Sequence, residues 1–230
     1  GYEAAGLNML YFYTEVDKDH LGDVVNGLRY MNFAGFAVTK PNKVRVLRYL
    51  DELDPLCKKM GASNTVVKTP EGKLIGYNTD GVGFYTSLVE EGKINVEEST
   101  FFCFGAGGAG RAMCSVLAYH GAKKIYITDF YEPCAESLVM DINENFAPVA
   151  ELVHHGDYAK IAECNVVMNA SGIGMGSTIG QTPMPVEHIQ PGQFFNFIES
   201  VFYRVLVGIH PARRLIHIPV TFKVDNERIH

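Results

Sequence analysis

The hexapeptide Gly105-Ala106-Gly107-Gly108-Ala109-Gly110 constrains this 230-residue chain more than any other stretch. It matches GxGxxG, a pattern that is weak in isolation because glycines also mark plain turns. Its surroundings make it specific. Thr100 to Phe104 is an uncharged run, consistent with a strand buried on both faces. Arg111-Ala112-Met113-Cys114 then begins a helix-forming run. In such a strand–turn–helix unit the glycines have separate tasks. Gly105 permits the tight turn, Gly107 lets a pyrophosphate approach the backbone, and Gly110 lets the helix pack close to the strand. The helix N-terminus offers unpaired N–H groups to phosphate charge. All six residues are therefore assigned to dinucleotide binding.

The rest of the second half fits that unit. Strands are expected at 124–128, at 164–170 and at 193–197, and helices from the glycine loop to about His120 and over 132–144. Strand–helix alternation of this kind predicts a parallel sheet covered by helices. Asp129 closes the second strand, about twenty residues after the glycines, where a carboxylate accepts hydrogen bonds from the adenosine ribose. A turn residue after a strand is the alternative for it. A carboxylate there also repels a 2′-phosphate, and Phe130 follows where an arginine would bind one. The expected cofactor is NAD, with NADP less favoured.

The first half has a different texture. Leu21, Val24, Val25, Leu28 and Met31 give residues 17–31 one apolar helical face. Residues 35–38 read as a short strand. Pro41 is expected to open a second helix, with Val44, Val46, Leu47, Leu50 and Leu53 on its apolar face. The turn sequence Thr69-Pro70-Glu71-Gly72 joins extended runs at 64–68 and 73–78 into a hairpin. A helix over about 81–91 should end at a left-handed Gly92. The domains are expected at 1–79 (α/β), 80–94 (connecting helix) and 95–230 (Rossmann-like).

Composition narrows the partners. The net charge is −6, without a basic stripe or a block of like charges, which argues against nucleic acid. No apolar run is long enough to span a bilayer. The five cysteines are scattered and lack metal-site spacing, as expected of free thiols in a reducing cytosol. A cytoplasmic protein without a metal site is expected. The oligomeric state is open, with a homodimer as one form.

Three polar motifs remain. Thr39-Lys40-Pro41-Asn42-Lys43 puts Lys43 in the first turn of the expected helix, where the positive helix end favours a neutral amine. A surface lysine is the alternative. Asn64, in Gly61-Ala62-Ser63-Asn64-Thr65, opens a strand although Asn is disfavoured there, which suggests a hydrogen-bonding task or a cap. Asp80, in Gly76-Tyr77-Asn78-Thr79-Asp80-Gly81, stands where an N-cap would be.

Taken in order, AVTKPNK, GASNT, GYNTDG and GAGGAGRA resemble the shikimate/quinate dehydrogenase family. That family shows N-V-T-x-P-x-K, G-A-x-N-T and G-Y-N-T-D-G ahead of a glycine-rich loop. Asn169-Ala170-Ser171-Gly172-Ile173-Gly174-Met175 resembles its N-A-T-x-x-G-M stretch near the nicotinamide. The resemblance runs from Gly1 to about Phe195. It implies an N-terminal α/β substrate domain followed by a Rossmann-like domain with a parallel sheet. It also implies hydride transfer between a nicotinamide dinucleotide and a cyclic polyhydroxy acid, shikimate or quinate. By the same resemblance Lys43 and Asp80 form the catalytic pair, and Thr39 and Asn64 bind the ring hydroxyls. Asn169, Ser171 and Met175 would line the nicotinamide site.

The chain departs from the pattern in places. Ala37 stands where the family usually has Asn. The S-x-S segment that binds the substrate carboxylate would precede Gly1. The family's D-x-x-Y-x-P-x-x-T stretch is not found, and Pro211-Ala212-Arg213-Arg214 lies in an unpatterned setting. These departures keep a non-catalytic dinucleotide-binding paralogue as the alternative. The motifs of methylene-tetrahydrofolate dehydrogenases, a third comparison, are not apparent.

Overall fold

A computed structural model describes residues 6, 8–184, 186–190, 192–197 and 215–217. The unpatterned stretch at 211–214 lies outside these residues.

Two sheets divide the described chain. The first has four strands in the order β1-β3-β4-β2: β1 (Gly35–Ala37), β2 (Glu52–Leu53), β3 (Thr65–Lys68) and β4 (Leu74–Tyr77). β3 and β4 form the expected antiparallel hairpin, with Thr65 opposite Tyr77 and Lys68 opposite Leu74. β1 joins β3 antiparallel, pairing Ala37 with Thr65. Helix α1 (Leu21–Tyr30) covers this sheet and buries Leu21 and Val25 beside Val38, Val46, Val66 and Leu74. Arg29, in its last turn, pairs with Asp51 and donates to the Tyr49 carbonyl at 2.8 Å.

The helix expected from Pro41 is not there. Residues 41–44 turn, and only Arg45–Tyr49 coil, as a short 3₁₀ segment. The apolar set over 44–53 is shared between that segment and β2, so no single helical face is required. Leu53 lies in a strand paired with Gly76 of β4. The inference that a helix N-terminus acts on Lys43 falls with that helix. A second helix that the periodicity did not reveal follows: α2 (Pro55–Met60). It spans fewer than two turns and is set by its ends. The Asp54 carboxylate accepts from Leu56 N at 3.0 Å and Cys57 N at 3.2 Å.

Helix α3 (Thr79–Glu90) leads out of the first sheet. It does not close at a left-handed Gly92. The Ser87 carbonyl accepts from both Glu91 N and Gly92 N, and the left-handed residue is Lys93, with φ 55°.

The second sheet has six strands, every adjacent pair parallel, in the order β10-β9-β8-β5-β6-β7. These are β5 (Thr100–Phe104), β6 (Lys124–Thr128), β7 (Ala150–Leu152), β8 (Val166–Asn169), β9 (Phe194–Phe197) and β10 (Leu215–His217). β5 and β6 pair from Thr100 opposite Lys124 to Phe104 opposite Thr128. Helices α4 (Gly108–Tyr119) and α5 (Glu132–Asn145) pack on one face, over Phe101, Cys103, Ile125, Ile127, Val166 and Met168. The alternate residues Phe102, Phe104, Tyr126 and Val167 bury into a second core on the other face. Burial on both faces is why β5 carries no charge. The strand order reverses between β5 and β8, which opens a crevice at their C-terminal ends. Among the described residues no helix is long and apolar enough to cross a membrane.

Candidate active site

The glycine loop fills the β5 side of that crevice. Gly105 has φ +101°, and a Cβ there would come within 2.6 Å of the Ala170 and Ser171 backbone. A Cβ on Gly110 would lie 1.8 Å from the Gly105 carbonyl oxygen. Both positions therefore exclude a side chain for reasons internal to the protein. Gly107 differs. It is exposed, and a Cβ there would meet nothing within 4 Å. The first N–H groups of α4 lack intrahelical partners, and its cap Gly107 has no side chain to bond them. An open, uncapped helix start beside a bare backbone fits a pyrophosphate.

Asp129 secures this loop. Its Oδ2 accepts from Ala106 N at 2.7 Å and its Oδ1 from Tyr131 N at 2.9 Å. A carboxylate has about four acceptor positions, so these two bonds leave capacity for a ribose. Phe130 is 85% exposed. The loop after β8 forms the opposite wall. Asn169, buried, donates from Nδ2 to the Ile173 carbonyl at 2.9 Å. Its Oδ1 accepts from Ser171 N at 3.1 Å and Ser171 Oγ at 2.7 Å. These two side chains thus shape the 169–173 turn, while Met175 lies half-buried just beyond it.

The polar motifs of the first half meet in one place. Lys43 Nζ donates to Asp80 Oδ2 at 2.6 Å, and the two side chains are only 15% and 11% exposed. Asp80 is not the cap of α3. That place belongs to Asn78, whose Oδ1 accepts from Gly81 N at 3.1 Å and whose Nδ2 donates to the Ala62 carbonyl at 2.9 Å. Asp80 sits in the first helical turn with its carboxylate free for Lys43 and Asn64. Asn64 Nδ2 donates to Asp80 Oδ1 at 2.6 Å. Thr39 follows β1, whose neighbour Val38 donates its N–H to the Asn64 carbonyl at 2.8 Å. The Thr39 hydroxyl has no hydrogen-bond partner among the described residues, and Thr39 is exposed. Ala37 is exposed too, and it pairs with Thr65 through its backbone, a contact indifferent to its side chain.

The Lys43 stem reaches the other half of the molecule. A Cβ on Gly108 would stand 3.2 Å from Lys43 Cδ and 3.4 Å from its Cβ. The lysine thus lies along the start of the glycine loop's helix with its amine on Asp80. Sequence reasoning assigned Gly108 to dinucleotide binding with the rest of the loop and did not show that it also seats the lysine stem. Sequence reasoning also passed over Ser63, which is fully buried and donates within reach of the Thr65 and Tyr77 carbonyls at 3.1 and 3.0 Å. Its one visible signal was a hydroxyl between Ala62 and Asn64 at the start of an apolar strand.

The family model for the shikimate dehydrogenase substrate binding domain matches residues 1–66. A shikimate dehydrogenase (NADP(+)) of Desulforamulus reducens is 38% identical over 194 residues, 83% of this chain and 66% of that protein. This chain therefore spans about two thirds of that curated relative's length. A Listeria monocytogenes shikimate 5-dehydrogenase, solved with shikimate and NAD, superposes with a TM-score of 0.81 at 30% identity. The match covers 94% of this chain and 78% of that one. A Corynebacterium glutamicum quinate dehydrogenase, solved with NAD, gives 0.77 at 27% identity, covering 86% and 72%. With the strand order, the glycine loop and the partly buried Lys43–Asp80 pair already placed, these likenesses agree along most of the chain, which belongs to the shikimate dehydrogenase family.

Proposed function

We propose that this chain transfers hydride between a nicotinamide dinucleotide and a cyclic polyhydroxy acid, shikimate or quinate, with Lys43 and Asp80 as the proton-handling pair. The observation that carries the reading is the placement of Lys43. One side chain pairs with Asp80 in the first half and packs on Gly108 at the dinucleotide loop. A proton donor so placed stands where substrate and cofactor meet.

Bound on the glycine loop, the dinucleotide supplies the hydride, or accepts it in the reverse direction. The remaining steps belong to the chain. As a ketone is reduced, Lys43 Nζ gives a proton to the developing alkoxide and offsets its charge. Asp80 holds that amine in line, and the partial burial of both groups strengthens their interaction relative to water. Thr39, with its unpartnered hydroxyl, is the group available to a ring hydroxyl. The turn at 169–173, knotted by Asn169 and Ser171, and Met175 after it form the wall for the nicotinamide. Gly107 and the start of α4 take the pyrophosphate. Steady-state shikimate or quinate oxidation with NAD and with NADP tests the reading. Absence of turnover with both acids and both cofactors would favour the non-catalytic alternative.

Within that reading NAD is the preferred cofactor. The Asp129 carboxylate closes β6 beside the glycine loop, where it would meet the ribose, and the exposed Phe130 offers no cation to a 2′-phosphate. The relatives pull both ways. The D. reducens protein is named for NADP(+), whereas the L. monocytogenes and C. glutamicum structures hold NAD. Asp129→Ala should narrow the ratio of kcat/KM between the two cofactors by removing the repulsion. It should also weaken both, since Ala106 N loses its acceptor. An NADP preference in the unaltered chain would show that Asp129 serves only the loop.

A further inference from the structure

We infer that the pocket between the C-terminal ends of α3 and α4 binds a small organic cation, an ammonium group carried on a flat apolar body. The pocket has a volume of about 610 Å³, within the usual range for small-molecule sites. Its walls come from the last turns of α3, from residues 94–97 that lead into β5, and from the end of α4. The glycine loop leaves the opposite end of β5. Five residues separate the two, about 16 Å at about 3.3 Å per residue. The pocket is therefore distinct from the dinucleotide loop and from the Lys43–Asp80 pair.

Its walls suit a flat apolar body. The Tyr85 and His120 rings stack with centroids 3.6 Å apart and planes within 12°, and Tyr119 meets His120 edge-on at 5.1 Å. Ile94 and Val96 add aliphatic surface. The connecting turn is already fixed. Asn95 Oδ1 accepts from Glu97 N at 3.2 Å, and the Asn95 carbonyl accepts from Ser99 Oγ at 2.6 Å. A preformed wall lowers the ordering cost of binding.

Charge selects the head group. A helix C-terminus carries partial negative charge. Two helices end at this pocket, and neither has a basic residue in its last turn. Burial lowers the pKa of the His120 imidazole, which keeps that ring neutral near neutral pH. Glu97 is then the one ionised side chain among the described lining residues, and its carboxylate has no ion-pair partner among the described residues. An anion would be repelled by all three sources, so neither an acid substrate nor a dinucleotide belongs here. A cation is attracted by all three and by the tyrosine faces. Among the described residues no three His, Cys, Asp or Glu side chains gather to hold a metal ion, and the apolar walls favour an organic one.

Binding to the full chain, followed by NMR without cofactor or substrate, tests this. The probe is phenethylammonium, set against uncharged phenethyl alcohol. The ammonium should bind about 2–30-fold more tightly, the range for a cation on an aromatic face. The shifts should centre on the rings of Tyr85, Tyr119 and His120. Glu97→Gln should erase most of that preference and leave the alcohol's affinity unchanged. Tyr119→Leu should weaken the ammonium several-fold. Both side chains are exposed, so the melting temperature should hold in each variant. Saturating shikimate and NAD should not displace the probe. None of this needs turnover, so an inactive chain would count against the proposed function alone. Equal affinity for the two probes, no saturable binding at millimolar ammonium, displacement by NAD or shikimate, or indifference to Glu97→Gln would each overturn the inference.

Discussion

Lys43→Ala should lower kcat by about 10²–10⁴-fold, the usual range for a positioned general acid, with a smaller change in KM. The amine is the only cation in contact with Asp80 among the described residues, and its stem lies against the glycine loop's helix. Asp80→Asn should also lower kcat and leave the helix standing. Asn78 caps α3, so the change leaves that cap untouched. What the helix loses is one first-turn carboxylate, worth about 0.3–1 kcal/mol of dipole stabilisation. Circular dichroism and thermal melting on the same samples separate this small structural effect from the chemical one. The double variant should be little slower than the slower single variant, since groups acting as a unit do not lose activity additively. Near-normal turnover by Lys43→Ala would return that residue to a structural role.

Gly110→Ala should damage the fold as well as the activity. The added carbon would stand 1.8 Å from the Gly105 carbonyl oxygen, so α4 must lift away from β5. Overpacking of this kind costs about 1–3 kcal/mol and sometimes more. For a domain of about this size each kcal/mol lowers the melting temperature by about 2–4 °C. Gly107→Ala makes the contrast. Its Cβ would touch nothing within the protein, so stability should hold while dinucleotide binding weakens. Melting curves and cofactor titrations of the two variants check the pair. Equal stability of both would mean that Gly110 is not a packing glycine. A Gly107→Ala protein that binds cofactor normally would move the pyrophosphate elsewhere.

The elements that could be read in advance share one property: their sequence pattern is local. β5, β6 and the β3–β4 hairpin are each marked by a continuous apolar run or a turn tetrapeptide. The glycine loop is marked by its neighbours on both sides. The segment from Pro41 to Leu53 misled because its apolar residues satisfy a helical period although tertiary pairing draws Leu53 into a strand beside Gly76. The short α2 was invisible because it is defined by its ends, not by a period. At the site, residue identities were legible and residue relations were not. Asn78 and Asp80 are both good caps two positions apart, and spacing alone could not choose between them. Nor could it show how the amide of Asn64 is engaged, since three of its hydrogen bonds run to Thr79 and Asp80, fifteen and sixteen residues away, in α3.

The contact between the Lys43 methylenes and Gly108 has a mechanical meaning. The acid proposed to complete the reaction is seated against the start of α4, at the turn proposed to receive the coenzyme, so it belongs to neither half alone. Were the two halves to part, the amine would lose its seat in the same movement that uncovers the coenzyme. Separation and disarming would be one event, an interlock written in a single side chain. Proton delivery would then be available only in the assembled cleft. Gly108→Ala, which obliges the lysine stem to give way by a few tenths of an ångström, would loosen that interlock without touching a charged group.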